Sequence, residues 1–411
     1  MITTETYDEA SAQAIRLKEY QDQDVSLSER DASFLLSQLS PKITVRRRVQ
    51  DDQYVLNPNQ FVGVVTLPSG RRLESHPKIP TRNLFYMLAV AFDLPSPFMD
   101  ELADYGRLDE LLEFVASYFT QRVESRLNQG LYRSYVERED NLSMVRGRIS
   151  FAEDVRRNYV LRHRTYCRYA EFSWDIPENQ IIRQVVHLLG GWGLRRDLRL
   201  QLRRIDAALA EVTPVILPPS ATDRFHYNRW NEDYRLLHRL CRLFLEGASV
   251  SEESGPFDFS TFLVDMEKLF ERFITQMLFK QVGEPFVVDD QVPMYLGHKK
   301  KVRMFPDIVV SREGTPELIA DCKYKRLEPS KFKNHDIYQM FAYCTASRVR
   351  RGLLIYPLHT ARVQDEVGIL NTETVVQQTT IDLGKDDIQA LDQECDILAQ
   401  ELVNWVETNV D

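Results

Sequence analysis

Residues 301 to 325 read KVRMFPDIVVSREGTPELIADCKYK, and their pattern decides what the last third of this chain is. Met304 to Val310 is almost continuously apolar, interrupted by Asp307 after a proline, and Leu318 to Tyr324 repeats the arrangement around Asp321. Short apolar runs bounded by turn residues read as buried strands. Between them, Ser311-Arg312-Glu313-Gly314-Thr315-Pro316 is polar and holds glycine and proline. The two strands are therefore expected to form a hairpin that brings Asp307 near Asp321. Alternation along the second strand puts Asp321 and Lys323 on one face and turns Cys322 away, leaving the Cys322 carbonyl free to act as a ligand. Asn334 to Thr345 then reads as a helix in which Gln339 and Tyr343, four apart, share a face.

A D-x-K triplet alone says little, because about a quarter of an ordinary chain is charged. An exposed hairpin with a cross-strand ion pair would give the same letters. Two acids on apolar strands are different, since burying a carboxylate without a compensating charge is costly. Paired carboxylates beside a lysine are what metal-dependent phosphodiester hydrolysis requires. The acids hold a hard divalent cation, and the lysine activates the attacking water and steadies charge building on phosphate. The stretch reads first as the centre of a nuclease.

The order of these elements resembles the PD-(D/E)xK nuclease superfamily, and the Q-x-x-x-Y helix resembles the branch shared by many restriction and recombination nucleases. Within it the chain is similar to the McrC family, the endonuclease subunits of 5-methylcytosine-dependent restriction systems. Four further stretches carry that likeness: FVGVVTLPSGRRLESHPKIP at 61 to 80, MVRGRI at 144 to 149, EFSWDIPENQIIR at 171 to 183 and FLVDMEKLFERFI at 262 to 274. It runs from about residue 40 to about residue 360. The resemblance implies that Asp307 and Asp321 bind Mg²⁺, with Mn²⁺ as a substitute, and that Lys323 is the catalytic lysine. The Cys322 carbonyl would complete the metal site. Gln339 and Tyr343 would orient the lysine strand or the phosphate. Glu271 matches an acid on the preceding helix that reaches a second ion or a bound water, although Asp265, Glu267 and Glu271 together also suit a solvated helix face.

The implied partners are double-stranded DNA and a ring-forming McrB-like AAA+ protein that hydrolyses GTP or another nucleotide. This chain has no G-x-x-x-x-G-K-[ST] segment, so it is expected to bind no nucleotide itself. Arg71, Arg72 and Lys78 are candidate cations for the docking surface. Two other readings stand beside this one: a non-cleaving adaptor that regulates an AAA+ ring, and an autonomous DNA-repair nuclease. The intact acid-acid-lysine set weighs against the first. The roughly 250 residues ahead of the nuclease region weigh against the second.

The formal charge of -9 looks wrong for a DNA enzyme until it is divided along the chain. Residues 142 to 204 hold thirteen arginines and no lysine against six acids, residues 298 to 333 hold ten cations against five acids, and residues 361 to 411 hold twelve acids against Arg362 and Lys385. Phosphate contact depends on local field rather than on the sum, so either basic segment could serve it. The arginine-rich one could equally be a set of solvated or internally paired helix faces. Five scattered cysteines without a C-x-x-C pair make zinc, disulfide and iron-sulfur frameworks unlikely readings. No run of eighteen apolar residues occurs, and the first two dozen residues have no apolar core, so the expected location is cytoplasmic with no membrane contact.

The expected architecture is a multidomain α+β chain: a small N-terminal β module, a mainly α middle region and a C-terminal α/β domain of restriction-endonuclease type. The boundaries read as a polar extension over 1–40, a β-rich partner-docking module with helices over 41–130, the α region over 131–252 and the nuclease domain over 257–411. Glu252 to Pro256 marks a linker, and Ile388 to Val406 has the apolar spacing of an acidic closing helix.

Overall fold

The computed structural model describes residues 14–48, 53–95, 108–160, 163–248, 261–327 and 331–407. Two compact units divide the chain. The first takes in residues 1–111, 249–255 and 261–411, and the second residues 112–248 and 256–260.

The first unit begins with β1 (Ile15–Lys18), β2 (Gln23–Val25), α1 (Glu29–Gln38), β3 (Thr44–Arg47), β4 (Tyr54–Asn57), β5 (Phe61–Thr66), β6 (Arg72–His76) and α2 (Thr81–Ala91). Residues 14–40 are thus no loose extension. β1 pairs in parallel with β6, and Leu17 and Leu35 lie in one apolar cluster with Leu56, Val65, Leu73 and Leu263. The polar look of this stretch came from its alternation, with every second β1 side chain buried and the others exposed. Ser28 caps α1 by accepting from the Asp31 N–H.

The second unit holds α3 (Leu108–Gln129, most of whose length falls here), β7 (Ser134–Leu142), β8 (Arg148–Ile149), α4 (Phe151–Asn158), β9 (Thr165–Ser173), α5 (Pro177–Gly190), α6 (Arg196–Ala208) and α7 (Tyr234–Gly247). The expected helices are present, but the region also carries an antiparallel sheet in the order β7-β9-β8. Its long strands were hidden by charge: β7 reads SYVEREDNL, and none of its residues is fully buried. Helix packing closes around Phe244, which meets Phe119 at 5.7 Å and Trp192 at 5.8 Å between ring centroids.

The chain then returns to the first unit with β10 (Thr261–Asp265) and α8 (Met266–Gln281). β10 pairs antiparallel with β5, so the N-terminal sheet runs β1-β6-β5-β10 and is built from both ends of the sequence. Gly63 permits that pairing. Its φ is +150°, and a Cβ there would collide with the Phe262 carbonyl oxygen. The N-terminal β elements and the C-terminal α/β elements therefore form one unit rather than the two domains expected at 41–130 and 257–411. The expected linker at 252–256 lies outside the described residues.

Asp265 caps α8 through the Glu267 and Lys268 N–H groups. Met266, Leu269, Phe270, Phe273, Ile274, Met277 and Leu278 recur at helical spacing and are buried. Next come β11 (Phe286–Asp290), β12 (Met294–Leu296), β13 (Val302–Met304), β14 (Ile308–Arg312), β15 (Thr315–Cys322), α9 (Asn334–Ser347), β16 (Arg351–Pro357), β17 (Gln364–Gly368), β18 (Val375–Ile381) and α10 (Ile388–Glu407). Six of these strands make one sheet in the order β11-β14-β15-β16-β18-β17. β14 and β15 are the expected hairpin, antiparallel with a bulge at Val310/Ser311, whereas β15, β16 and β18 run parallel. α9 is the crossover between β15 and β16. It sits so close to β16 that a Cβ on Gly352 would run into the Met340 side chain. α10 covers this unit, burying Leu391, Cys395, Leu398 and Leu402 while Tyr86 of α2 donates to Asp392 at 2.6 Å.

Candidate active site

The end of the β14–β15 hairpin gathers the acids. Asp307 immediately precedes β14, and Asp321 is the penultimate residue of β15, 2% exposed. The Cys322 N–H donates to Asp307 Oδ2 at 2.8 Å, which ties the first acid to the strand that carries the second. Lys323 leaves β15 with its backbone still held, its N–H donating to the Ile355 carbonyl at 2.8 Å. Its ammonium turns back onto Asp321 in an ion pair.

A hydrogen-bonded chain fixes that ammonium. Lys323 Nζ donates to Gln339 Oε1 at 3.0 Å, Gln339 Nε2 donates to the Tyr343 hydroxyl at 2.8 Å, and the hydroxyl donates to the Phe305 carbonyl at 3.1 Å. Phe305 lies two residues before Asp307, so the relay runs from one acid's strand, through the helix, to the other acid's approach. The structure thus brings together Asp307, Asp321, Lys323, Gln339 and Tyr343. Tyr343 is also a core aromatic, 5% exposed and packed with Met340, Leu354 and Tyr356.

The electrostatics are crowded. Burial, then Asp321 and then Glu271 push the Asp307 carboxyl up to about 8. Burial also raises Asp321, with Lys323 pulling the other way. Burial drives the Lys323 ammonium down, but Asp321 and Asp307 more than offset it, and its net shift is upward. Glu271 is raised, first by burial, while Gln291 holds it by donating from Nε2 to Oε1 at 2.6 Å. The Gln291 N–H meanwhile donates to the Asp307 carbonyl at 3.3 Å, linking Glu271 to the site through one residue. The Cys322 thiol is raised well above its ordinary value by burial and then by the acids, so it stays protonated and only its backbone is a candidate ligand. Among the described residues no three histidine, cysteine, aspartate or glutamate side chains are arranged to hold a metal ion by themselves. Asp307 and Asp321 are then the two side-chain donors, with Glu271 one step removed. Hard oxygen donors gathered about a single ammonium do fit Mg²⁺, which keeps several waters and needs few protein carboxylates.

Three residues of this region went unforeseen. Asp336, buried on the first turn of α9, accepts from Lys325 Nζ and from the Tyr356 hydroxyl at 2.6 and 2.7 Å. Its place three residues before Gln339 was the available signal. Gln291 offered none. Neither did Glu19, wholly buried, which accepts from the Tyr324 hydroxyl at 3.1 Å and pairs with Lys78 at 3.4 Å. Lys78 is thereby engaged rather than free for docking. Arg71 likewise donates to the Ser26 carbonyl at 2.8 Å, and Arg72 also has a partner.

Comparison with known proteins decides the family. The model of the McrBC 5-methylcytosine restriction system component family matches residues 56–357. The chain belongs to the McrBC family. A relative in Escherichia coli (strain K12), the type IV methyl-directed restriction enzyme EcoKMcrBC, is 22% identical over 307 residues, covering 68% of this chain and 86% of that protein. Among solved structures, a chain of the Thermococcus gammatolerans half-complex of McrB AAA+ hexamers with bound McrC is similar over 96% of this chain and 100% of its own. The TM-score is 0.57 at 19% identity, a likeness of fold. The McrBC complex of the same organism gives 0.43 over 66% of this chain and 89% of that chain, at 20% identity. The McrC-family likeness read from residues 61–80, 144–149, 171–183 and 262–274 is borne out. Among the described residues no helix is long and apolar enough to cross a membrane.

Proposed function

We propose that this chain is the Mg²⁺-dependent DNA endonuclease subunit of a modification-dependent restriction complex, built on a PD-(D/E)xK centre and working with a ring-forming AAA+ NTPase that it stimulates. The observation that carries the reading is the pairing of two crowded carboxylates, buried Asp321 and half-buried Asp307, with one lysine that a helix holds in place. A structural ion pair needs one acid, and here Asp321 and Asp307 both act on one ammonium. Perturbed acids of this kind concentrate at functional sites.

Asp307, Asp321 and the Cys322 carbonyl would hold the cation, which supplies Lewis-acid stabilisation of the phosphate and a more acidic water. Lys323 points its ammonium across Asp321 toward the same space, where it steadies negative charge on the phosphate oxygens. Gln339 and Tyr343 keep that ammonium from folding away. Glu271, through Gln291, sets the field at Asp307.

Cleavage separates this reading from that of a non-cleaving adaptor. Plasmid DNA, methylated and unmethylated, is incubated with Mg²⁺, nucleotide and an McrB-like AAA+ partner, using wild type and Asp321→Ala protein. Cutting that requires Asp321, partner and nucleotide is expected. Equal stimulation of the partner's NTPase by both proteins with no cutting under any condition would establish the adaptor instead.

A further inference from the structure

The two basic segments of the chain differ in what their charges do. In the arginine-rich stretch, Arg146 pairs with Glu171, Arg156 and Arg157 with Glu153, Arg168 with Glu139, Arg183 with Asp206 and Arg195 with Glu113. Much of that field is compensated locally. The β12–β13 hairpin is the opposite. Lys299, Lys300 and Lys301 form its exposed tip with Arg303 on the following strand, and none of the four meets a carboxylate among the described residues. Among the described residues the contacts these cations make are with rings: Lys300 lies 5.2 Å from the centroid of Tyr295, and Arg303 lies 4.5 Å from that of Phe305.

The hairpin's base is anchored while its tip projects. Met294 and Met304, opposite each other at the base, pack against the cluster that contains Met340 and Tyr343. Phe305, the next residue, accepts the Tyr343 hydroxyl, and Asp307 follows two residues on. Lys299 and Lys300 adopt positive φ of 67° and 54°, conformations that glycine or asparagine would take more easily. Lysine at such positions puts backbone strain next to a concentration of positive charge, a combination that points to function.

We propose that the β12–β13 hairpin is a phosphate clamp that grips the duplex backbone flanking the bond to be cut. This rests on the nuclease reading and adds to it a binding element with named residues. Lys299, the far end of the tip, lies eight positions before Asp307, so the tip's backbone reaches no farther than about 29 Å from that acid even if the chain is fully extended. At 3.4 Å per step along one strand that is at most about eight base pairs to one side of the cut. The clamp contacts phosphates rather than base edges, so it adds affinity and register without sequence preference. Arg303, stacked on Phe305 at the root, lies nearest the reacting phosphate. Lys299, Lys300 and Lys301 reach outward.

The test compares duplex binding by the intact hairpin, by Lys299→Gln/Lys300→Gln/Lys301→Gln and by the corresponding triple Lys→Arg protein. All carry Asp321→Ala to prevent cutting, and each is measured with and without the AAA+ partner across a salt series. Losing three phosphate contacts should flatten the log–log salt slope by about two to three and weaken binding at least tenfold at moderate salt. The arginine triple should restore both. Because the substituted side chains are exposed, unchanged thermal unfolding serves as the folding control. An unaltered slope and affinity in the Gln triple would overturn the clamp. The nuclease reading survives that result if plasmid cleavage still depends on Asp321. No duplex binding by the intact hairpin and no cleavage by wild type, alone or in complex, would overturn both.

Discussion

The two units each bury a polar cluster, and the clusters are made on opposite principles. In the second unit the cluster is held by hydrogen bonds among neutral groups. The Tyr234 hydroxyl donates to Asn179 Oδ1 at 2.7 Å and accepts from the Tyr132 N–H at 2.9 Å, while Asn179 Nδ2 donates to the Tyr132 and Trp174 carbonyls at 2.9 and 2.6 Å. His238 places one ring nitrogen 3.0 Å from the Glu178 carbonyl and the other 2.9 Å from the Tyr227 hydroxyl, a neutral imidazole with both sides occupied. Burial lowers it to about 4, which keeps it uncharged. In the first unit Asp321 is buried and Asp307, Glu271 and Lys323 are half-buried, and opposed charges are left out of balance. A satisfied network rigidifies, and an unsatisfied one waits for a ligand.

The largest expected effect falls on the first cluster alone. Asp321→Ala should reduce cleavage of plasmid DNA by at least about a thousandfold, and Lys323→Ala by roughly the hundredfold typical of one electrostatic group. Removing Tyr234 from the neutral cluster should leave cleavage per folded molecule unchanged. His238 sharpens the contrast through pH. Its folded value of about 4 lies below the ordinary 6.5, so between them the unfolded chain binds the extra proton. The contribution is whole above 6.5 and is lost as pH falls toward 4, on the order of 3 kcal/mol over that window. Urea unfolding between pH 4 and 7 should show this slope, and His238→Gln should flatten it. Tyr234→Phe strands the buried Tyr132 N–H, and its cost in the same assay should be about 1–3 kcal/mol.

How much of this was legible in the sequence follows the same division. The acids, the lysine and the Q-x-x-x-Y helix were readable because local spacing sets them: two strands, one short turn and one crossover helix place all five residues. The hairpin and α9 appear where alternation and helical periodicity put them. What was missed depends on distant pairing. Glu19 meets Tyr324 across 305 residues, and β10 joins β5 only because Gly63 lets it approach, neither of which leaves a local pattern. The β7–β9 sheet was obscured because its exposed strands carry charges in place of the apolar alternation that marks a half-buried strand. The arginines beside it then read as a free field, when many of them face acids on neighbouring strands or helices.

The central claim is that the first unit's cluster is held off balance for function, and Asp307→Asn tests it most directly. The Asp307 carboxyl rises from an ordinary 3.8 to about 8, so between those values the folded state keeps a proton that the unfolded chain has released. Stability from this group is therefore greatest below 3.8 and is lost as pH rises through about 8. Asparagine can still accept from the Cys322 N–H but carries no charge. Without divalent cation at pH 8, Asp307→Asn should unfold at a higher temperature than wild type, its stability raised by the roughly 0.5–2 kcal/mol common for a stabilising substitution. With Mg²⁺ and partner it should not cut DNA. A variant that is less stable than wild type at pH 8 and still cuts would show that Asp307 is an ordinary structural acid, and the reading of this site would fall.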